Sequence, residues 1–420
     1  MVTDPVNLAD RVRADFPILG TGLDDGTPLS YLDNAATTQK PAQVLEAVMR
    51  YYQTANSNVG RSVHAYSMRA SDAYESARRT VQGFLNAEDA QQIVFTKGTT
   101  ESINTVALAY ESVLTEGDEV VITGMEHHSN LLPWRRLCER TGSTLRVVPL
   151  QPAGGVTLEA FRDSLSERTR LVAVAHVSNV LGTVNPVQEM IAEAHRRGVP
   201  VLVDGAQAVA HRPVDVQALD ADYYCFSGHK MYAPMGIGVL YGKAEHLERL
   251  QPALTGGGVA RGVSWAGEIE YLPVPNRLEA GTPNIGGAVG LAAAATYLGD
   301  LGFDQVVAHD QGLTHRLRDS LAGAGNVRVL GDRHEGAIVT FAVEGLHPYD
   351  VGNHLSAAGV MVRTGVHCAI PMADHLGLVG TVRASVGVYN TEDEIDRLVD
   401  AIGTVQPGFW TKEHPDERFL

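Results

Sequence analysis

The chain has 420 residues and only three cysteines, Cys138, Cys225 and Cys368. No two of them form a CxxC pair, which disfavours a disulfide scaffold and a zinc or iron–sulfur site built from the chain's own thiols. We therefore predict no metal site, and we expect any functional cysteine to act alone. Sparse thiols also suit a reducing compartment, so a cytoplasmic protein is expected.

Positive charge and long hydrophobic runs are also scarce. Lysine and arginine number 33 against 49 aspartates and glutamates, a net charge of −16. An acidic surface repels phosphate backbones and anionic lipids, so neither nucleic acid nor a membrane surface is an expected partner. The longest low-polarity stretch, residues 286–299, is too short to span a bilayer, and residues 1–20 lack the apolar core of a secretory signal.

The chain does contain a regular alternation of short β-branched runs and longer helical patterns over residues 31–242. This alternation predicts an α/β fold in which helices cover a mostly parallel sheet, with ligands bound at the carboxyl ends of the strands. The predicted strands are residues 93–96, 119–122, 145–148, 171–177, 199–203 and 223–226. Three of the predicted intervening helices are residues 102–112, 131–141 and 187–197.

A second, smaller α+β domain is predicted towards the C-terminus. It begins with a long helix at 303–322 and ends with a helix at 392–402 that follows the capping signal of Thr391. Its predicted strands are residues 337–343 and 360–363, and a Gly/Pro-rich connector at 256–283 precedes it. We predict a division into an N-terminal segment (1–30) packing on the small domain, a large domain (31–288) and a small C-terminal domain (289–420).

Polar residues follow two of the predicted strands. Asp204 and Lys230 are 26 residues apart (230 − 204), one strand–helix–strand unit, which can bring a carboxylate and an amine to the same sheet edge. Pyridoxal 5'-phosphate (PLP) needs this pair, because the amine forms a Schiff base and the carboxylate keeps the pyridine nitrogen protonated. For two residues alone, a surface ion pair is the commoner interpretation.

Two further patterns lie after neighbouring strands. Residues 97–101 place a glycine turn and hydroxyls at a helix start, which indicates either a phosphate cradle or an ordinary capping box. The pair His127 and His128 has no third ligand at a recognisable spacing, so a ring stacked on a flat cofactor is favoured over a metal.

Taken together, the motifs GTTESIN, MEHHSN, HVSNVLGTVNP, VLVDGAQAV, FSGHKMYAPMGIGVLY, EAGTPNIGG and VRTGVHCA resemble the class V aminotransferase family of fold-type I PLP enzymes. Within it they resemble the SUF-type (group II) cysteine desulfurases, over residues 16–402. The resemblance implies PLP as cofactor, a seven-stranded type of large-domain sheet, a small domain carrying a cysteine loop, and a homodimer.

The resemblance also implies roles for individual residues. Lys230 would form the Schiff base, Asp204 would pair with the pyridine nitrogen, Gln207 would donate to the phenolic oxygen and His127 would stack on the ring. The phosphate would be held by Thr99, Thr100, Ser227 and His229, with Thr282 from the neighbouring subunit. The substrate would meet Asn179, Arg383 and Arg61, of which Arg61 would also come from the neighbouring subunit.

The implied reaction converts L-cysteine, or L-selenocysteine, to L-alanine. Cys368 would be the nucleophile that takes the sulfur as a persulfide and passes it to an acceptor protein of the SufE or SufU type, as in iron–sulfur cluster assembly. From the residues, we expect positive Arg363 and His367 to lower the pKa of the Cys368 thiol. We expect His127 to carry the thiol proton of the substrate, since the ordinary pKa of histidine is nearest neutrality.

Two positions depart from the SUF-type pattern. Gly60 and Val366 stand where that pattern has histidines, so two imidazoles near the persulfide are missing. The alternatives are a C–S lyase or selenocysteine lyase, or an epimerase acting on another amino acid. A third hypothesis is a non-catalytic protein on a PLP-type fold, which the filled cofactor positions disfavour.

Overall fold

The structure is a computed structural model that describes residues 7–24, 26–60, 63–331 and 335–418. Its strands, in chain order, are β1 Ser30–Tyr31, β2 Ile93–Thr96, β3 Glu119–Thr123, β4 Thr144–Val148, β5 Thr169–Ala175, β6 Val201–Asp204, β7 Tyr223–Ser227, β8 Gly238–Gly242, β9 Ala260–Val263, β10 Ile269–Tyr271, β11 Val327–Val329, β12 Ile338–Val343, β13 Val360–Met361, β14 Arg363–Gly365 and β15 Thr381–Ser385.

Helices connect and cover these strands. In chain order they are α1 Leu8–Val12, α2 Ala42–Thr54, α3 Ala65–Phe84, α4 Thr99–Tyr110, α5 Leu132–Thr141, α6 Leu158–Ser164, α7 Val187–His195, α8 Val216–Leu219, α9 Ala244–Leu247, α10 Ile285–Leu301, α11 Phe303–Gly323, α12 Pro348–Ala357, α13 Ile370–His375, α14 Glu392–Ile402 and α15 Phe409–Glu413. Short 3-10 helices include His128–Asn130 and Gly228–Lys230.

The large sheet has the strand order β2-β8-β7-β6-β5-β3-β4, which confirms the predicted mostly parallel sheet. All of its pairings are parallel except those of β8, which runs antiparallel to both β2 and β7. The predicted strands each overlap one of these strands, but the prediction lacked β8. Strand β8 begins at Gly238, where a side chain would collide with the backbone of Gly98, so the glycine that weakens the strand pattern allows close approach to β2.

The buried central strands carry apolar side chains on both faces. Val201 and Val203 of β6 belong to one apolar cluster, and Leu202 between them belongs to another, on the opposite face of the sheet. A strand covered on both faces is expected to be almost wholly apolar, and its polar residues then come only at its end. The carboxyl edge of the sheet is therefore where chemistry can occur.

A second, antiparallel sheet has the order β11-β12-β15-β14 among the described residues, which confirms the predicted α+β unit. Helices α11, α12 and α14 pack on it around one apolar cluster. Helix α14 has the predicted bounds and begins with a capping box between Thr391 and Glu394. Helix α15 follows it and was not predicted.

The predicted boundary between residues 288 and 289 lies inside α10, which packs against α2 and α3. In the N-terminal segment, Arg13 contacts Glu394 at 3.0 Å, and Phe16 packs edge-on against both Tyr389 and Tyr232. The segment therefore contacts residues on both sides of the predicted boundary, and the division into domains stays a prediction. Among the described residues no single helix has the length and apolarity to cross a membrane; only α10 and α11 taken together, bent by 82°, pass that test.

Candidate active site

A cavity of about 250 Å³ opens at the carboxyl ends of β5, β6 and β7. Polar residues that follow buried strands converge there, as the sheet topology requires. Predicted site residues lining it are Thr99, Thr100, His127, Asn179, Asp204, Gln207, Ser227, His229, Lys230, Cys368 and Arg383. Ala35, Ala36, Ser129, Arg363 and His367 line it as well.

A lysine and a carboxylate form the base of the cavity. Asp204 ends β6, and Lys230 ends the 3-10 helix after the adjacent strand β7. Burial lowers the pKa of Lys230 to about 8, against the opposing effect of the Asp204 charge. Burial also raises the pKa of Asp204, whose Oδ1 accepts a hydrogen bond from the Ala206 amide at 2.9 Å. An amine with such a pKa is partly neutral near physiological pH and can act as a nucleophile.

Hydroxyl groups gather at the start of α4. The Thr99 amide and the Thr99 hydroxyl both bond to Ser227 Oγ, at 2.9 and 2.8 Å. Thr100 Oγ1 lies 2.7 Å from Ser129 Oγ. Gly98 precedes the helix with a φ of +154°, and a Cβ at that position would lie 3.0 Å from Ser227 Oγ. Hydroxyls at the N-terminus of a twelve-residue helix suit a phosphate.

His229 contributes an unsatisfied polar atom beside this cluster. Its Nδ1 is buried and has no hydrogen-bond partner among the described residues. Its carbonyl oxygen, by contrast, accepts bonds from Thr37, Thr38 and Lys40. Burial lowers the pKa of His229 to about 4, so the ring is neutral. A buried nitrogen without a partner is costly unless a ligand satisfies it.

His127 lies over the cavity as a neutral imidazole. Its Nδ1 accepts a hydrogen bond from the Ser129 amide at 3.0 Å, which leaves the ring proton on Nε2. Burial, with the Lys230 charge as the next cause, lowers the pKa of His127 to about 3. The ordinary pKa of histidine, on which the prediction of a proton-carrying role rested, therefore does not apply to His127 in this cavity. The ring offers a flat face and one N–H donor.

The cysteine loop forms the opposite wall. Cys368 is exposed, whereas Cys138 and Cys225 are buried. His367 and Cys368 both adopt left-handed backbone conformations, with φ of +52° and +54°. Strained residues persist where their surroundings hold them, and here the Asn179 amide bonds to the His367 carbonyl at 2.7 Å.

His128 holds the same loop and was not assigned this role from the sequence. Its amide donates to the Cys368 carbonyl at 2.8 Å, and its Nε2 accepts from the Ile370 amide at 3.2 Å. The second histidine of the pair thus holds the loop at Cys368 and at Ile370, two residues further along the chain. Its adjacency to His127 was the only sequence signal, and that signal did not distinguish a loop anchor from a ligand.

The charges around the thiol differ from the prediction. Burial, assisted by the charges of Arg383 and Arg363, holds the pKa of His367 far below its ordinary value, so His367 is neutral. Its Nε2 lies 2.7 Å from Thr381 Oγ1. The expectation that His367 is a positive neighbour of Cys368 is wrong, because a histidine enclosed beside two guanidinium groups does not hold a proton.

Arg383 of β15 reaches the cavity from the small sheet. Its Nη1 donates to the Asn179 carbonyl at 2.8 Å, its Nη2 lies 3.5 Å from Asp33 Oδ1, and its Nε is buried without a partner among the described residues. Burial lowers the pKa of Arg383 to about 10, so the guanidinium stays charged at neutral pH. Asp33, which also lies 3.9 Å from Arg363, was not predicted. The free Nε leaves bonding capacity for a carboxylate.

Of the predicted site residues that the structure describes, Thr282 does not line this cavity. Thr282 lies in the loop before α10, where its hydroxyl is 3.3 Å from Asn58 Nδ2, and Arg61 falls outside the described residues. Gln207 does line the cavity, but its amide donates to the Ala35 carbonyl at 2.8 Å, so its role towards a phenolic oxygen stays a prediction. Thr282 was predicted to serve the neighbouring subunit, and its position outside the cavity of its own chain agrees with that role.

The sequence profile of the class-V aminotransferases matches residues 30–398. The chain belongs to this family. It is 45% identical over 394 residues to a cysteine desulfurase of Escherichia coli O7:K1 (strain IAI39 / ExPEC), covering 94% of this chain and 97% of that protein. The crystal structure of the cysteine desulfurase CsdA from Escherichia coli shares 40% identity at a TM-score of 0.87, covering 95% of this chain and 98% of that one.

An apo cysteine desulfurase from Thermococcus onnurineus NA1 is also similar, with 38% identity and a TM-score of 0.89 over 96% of this chain and 98% of that one. The family cofactor, PLP, fits the residues present. The lysine with a lowered pKa, the buried carboxylate of Asp204 and the unsatisfied His229 Nδ1 beside the hydroxyl cluster match the aldehyde, ring nitrogen and phosphate of that molecule. PLP is the cofactor of this protein.

Proposed function

We propose that the protein is a PLP-dependent cysteine desulfurase that converts L-cysteine to L-alanine and keeps the sulfur as a persulfide on Cys368. In this reaction the C–S bond of the substrate breaks and an S–S bond forms on Cys368. The substrate Cβ takes the electron pair of the broken bond and a proton, while the substrate sulfur and the Cys368 sulfur are each oxidised from the thiol to the persulfide level. The observation that carries the proposal is that Cys368, Lys230 and Arg383 line one cavity.

The chain's own residues supply binding and proton transfer. The guanidinium of Arg383, with its free Nε, binds the substrate carboxylate, and Asn179 holds both Arg383 and the cysteine loop. When bound, PLP supplies an electron sink for charge that develops at the substrate Cα. The Lys230 Nζ, with a pKa near 8, takes and returns the Cα proton. Asp204 holds the proton on the pyridine nitrogen.

The thiol chemistry belongs to the cavity wall. His127 presents Nε2–H, so it donates a hydrogen bond to the substrate sulfur, in contrast to the proton acceptor expected from its ordinary pKa. Cys368 is exposed, so its proton can leave to water and a second protein can reach the persulfide. An acceptor of the SufE or SufU type then takes the sulfur onto its own thiol, returning Cys368 to the reduced state.

We also propose a homodimer. Leu45, Met49 and Tyr52 follow one another at helical spacing on α2, and their exposed fractions are 45%, 55% and 53%. An apolar stripe of this kind suits a subunit contact. The finer features of the proposal are the SUF-type subgroup, a role in iron–sulfur cluster assembly and a cytoplasmic location, where a reducing environment keeps the three cysteines free.

Mass spectrometry after incubation with L-cysteine tests the function. We expect an adduct of one sulfur atom on Cys368, together with L-alanine, and discharge of the adduct to an acceptor thiol. Cys368→Ser should give no adduct, while Cys138→Ala, at a buried thiol outside the cavity, should behave as the wild type. Pyruvate and ammonia in place of alanine would instead indicate a C–S lyase. Alanine from L-selenocysteine alone, retained in Cys368→Ser, would indicate a selenocysteine lyase.

A further inference from the structure

Strand β2 is an edge of the large sheet. It pairs with β8 on one side, and no strand among the described residues pairs with its other side. An edge strand exposes backbone N–H and C=O groups that must find other partners when they are buried. Ile93 and Phe95 are buried, so their outward-facing backbone groups need such partners.

A buried ion pair supplies them. Arg78 of α3 donates from Nη1 to the Ile93 carbonyl at 2.7 Å, and the Phe95 amide donates to Glu279 Oε1 at 2.7 Å. Arg78 and Glu279 bind each other through two contacts, at 2.7 and 3.0 Å, and the Tyr74 hydroxyl donates to Glu279 Oε2 at 2.9 Å. Only 1% and 7% of the two charged side chains is exposed. The pair therefore takes the place of a neighbouring strand along β2.

The two segments that this ion pair joins, β2 and the loop that begins at Glu279, each continue into a residue predicted to bind the phosphate. Strand β2 runs into Gly98 and Thr99, at the hydroxyl cluster of this chain's own cavity. Glu279 is the first residue of the EAGT motif, which ends at exposed Thr282, the hydroxyl predicted for the neighbouring subunit. The ion pair thus fixes the starting points of both segments against each other.

Stability alone does not account for such a pair. A buried ion pair is often replaceable by apolar side chains at no cost in stability, because two charges must be taken out of water to form it. An apolar pair cannot accept a hydrogen bond from the Phe95 amide or donate one to the Ile93 carbonyl. It would therefore not fix the loop that begins at Glu279 in a defined position against β2.

Resting on the proposed function and its dimer, we propose that Arg78 and Glu279 are positioning residues for the cofactor phosphate. They set the cradle at Thr99 in their own chain and, through Thr282, a hydroxyl contact in the neighbouring subunit. The pair would therefore link the phosphate sites of the two subunits mechanically. Neither residue lines the cavity, so their effect is exerted through other groups.

Binding of PLP compared with pyridoxal, which lacks the phosphate, tests this inference. The dimeric protein is stripped of cofactor and titrated with each compound, and the Lys230 adduct is followed by absorbance. Glu279→Gln, which preserves shape but removes the charge, should weaken PLP binding about tenfold and pyridoxal binding by less than about twofold. Arg78→Lys should weaken PLP binding less than Glu279→Gln does. Glu75→Gln is the matched control, because Glu75 is the half-exposed second partner of Arg78.

An equal loss for PLP and pyridoxal would overturn the inference, since it would indicate general loosening of the fold. If Glu279→Gln does not fold, as judged by circular dichroism, the Arg78→Lys comparison decides alone. Combining Glu279→Gln with Thr282→Ala separates action through Thr99 from action through Thr282. If the combined loss of PLP affinity is smaller than the sum of the two single losses, Glu279 acts through Thr282. If the two losses add fully, the proposed action through Thr282 is wrong. Failure of the wild type to form alanine would refute the proposed function without changing this affinity ratio.

Discussion

The base and the wall of the cavity are built differently. At the base, Asp204 and Ser227 end adjacent strands of one sheet and Lys230 follows the second of them, so the regular geometry of that sheet holds all three. The wall, residues 366–369, is an irregular loop with left-handed residues, held by separate hydrogen bonds from Asn179, His128 and Thr381. The groups that would bind the cofactor are thus held rigidly by one sheet. The position of the Cys368 thiol depends instead on how the small sheet packs against the large sheet.

One of the two departures from the SUF-type pattern, Val366, falls in the wall. Val366, in place of a histidine, is buried within the loop, and Gly60 has a positive φ of 99°. Neither change touches the hydroxyl cluster or the Lys230–Asp204 pair. Because Val366 lies in the wall and not at the base, variants in the two regions should have separable effects.

The largest effect is expected at the base. Lys230→Ala removes the amine that binds the cofactor and moves the Cα proton, so alanine formation should fall by more than about 10³-fold. The absorbance of the PLP–lysine adduct should vanish with it. Lys230→Arg, which keeps the charge without a usable nucleophile, should fail equally. Substantial turnover by either variant would exclude Lys230 from both roles.

Cys368→Ser should separate the two regions. Persulfide formation should cease and release of transferable sulfur should fall by at least about 10²-fold, because the hydroxyl is a far weaker nucleophile. PLP binding, measured by absorbance titration, should stay within about twofold of the wild type, since no cofactor-binding group is changed. A large loss of PLP affinity would show that wall and base are not independent.

Arg383→Lys tests how the wall binds substrate. Lysine keeps the positive charge but loses the planar, bidentate geometry, so kcat/KM for L-cysteine should fall by about 10²-fold, mainly through KM. The Asn179 carbonyl would also lose the hydrogen bond that it accepts from Arg383 Nη1. If kcat falls and KM is unchanged, Arg383 acts on the reaction itself and does not serve mainly in binding.

The pH dependence of cofactor capture tests the electrostatics of the base. The neutral amine of Lys230 is the reactive form, and its pKa is about 8, below the ordinary value, because of burial. The rate of PLP attachment to cofactor-free protein should rise about tenfold per pH unit below pH 8 and level off above it. Stopped-flow absorbance checks this. A rate that keeps rising to pH 10 would contradict the lowered pKa.

The smallest effect is expected at the loop anchor. His128→Ala removes the acceptor of the Ile370 amide, so the cysteine loop should loosen and sulfur transfer should fall by about three- to tenfold. His375→Ala is a control, because that histidine, the last residue of α13, bonds to the Gln151 carbonyl and does not line the cavity. Equal effects of the two variants on sulfur transfer would show that His128 does not anchor the cysteine loop.

The base could be predicted well from the sequence, and the wall only in part. Asp204 and Lys230 were identified because buried strands end in polar residues, a pattern that depends only on local order along the chain. Cys368 and Arg383 came from motif resemblance, since no local rule brings Lys230 to a residue 138 positions later (368 − 230). Asp33 gave no local signal, and the adjacency of His128 to His127 did not distinguish a loop anchor from a ligand.

The amino-acid sequence alone determined which segments form buried strands, because these are apolar runs that must be covered on both faces. It also determined which polar residues follow those strands at one edge of the sheet. Only the tertiary structure decided the protonation of the site. His127 and His367 are neutral and Lys230 has a lowered pKa because burial removes water from around them, and burial depends on which distant segments pack together. The same packing places an exposed thiol opposite a buried amine.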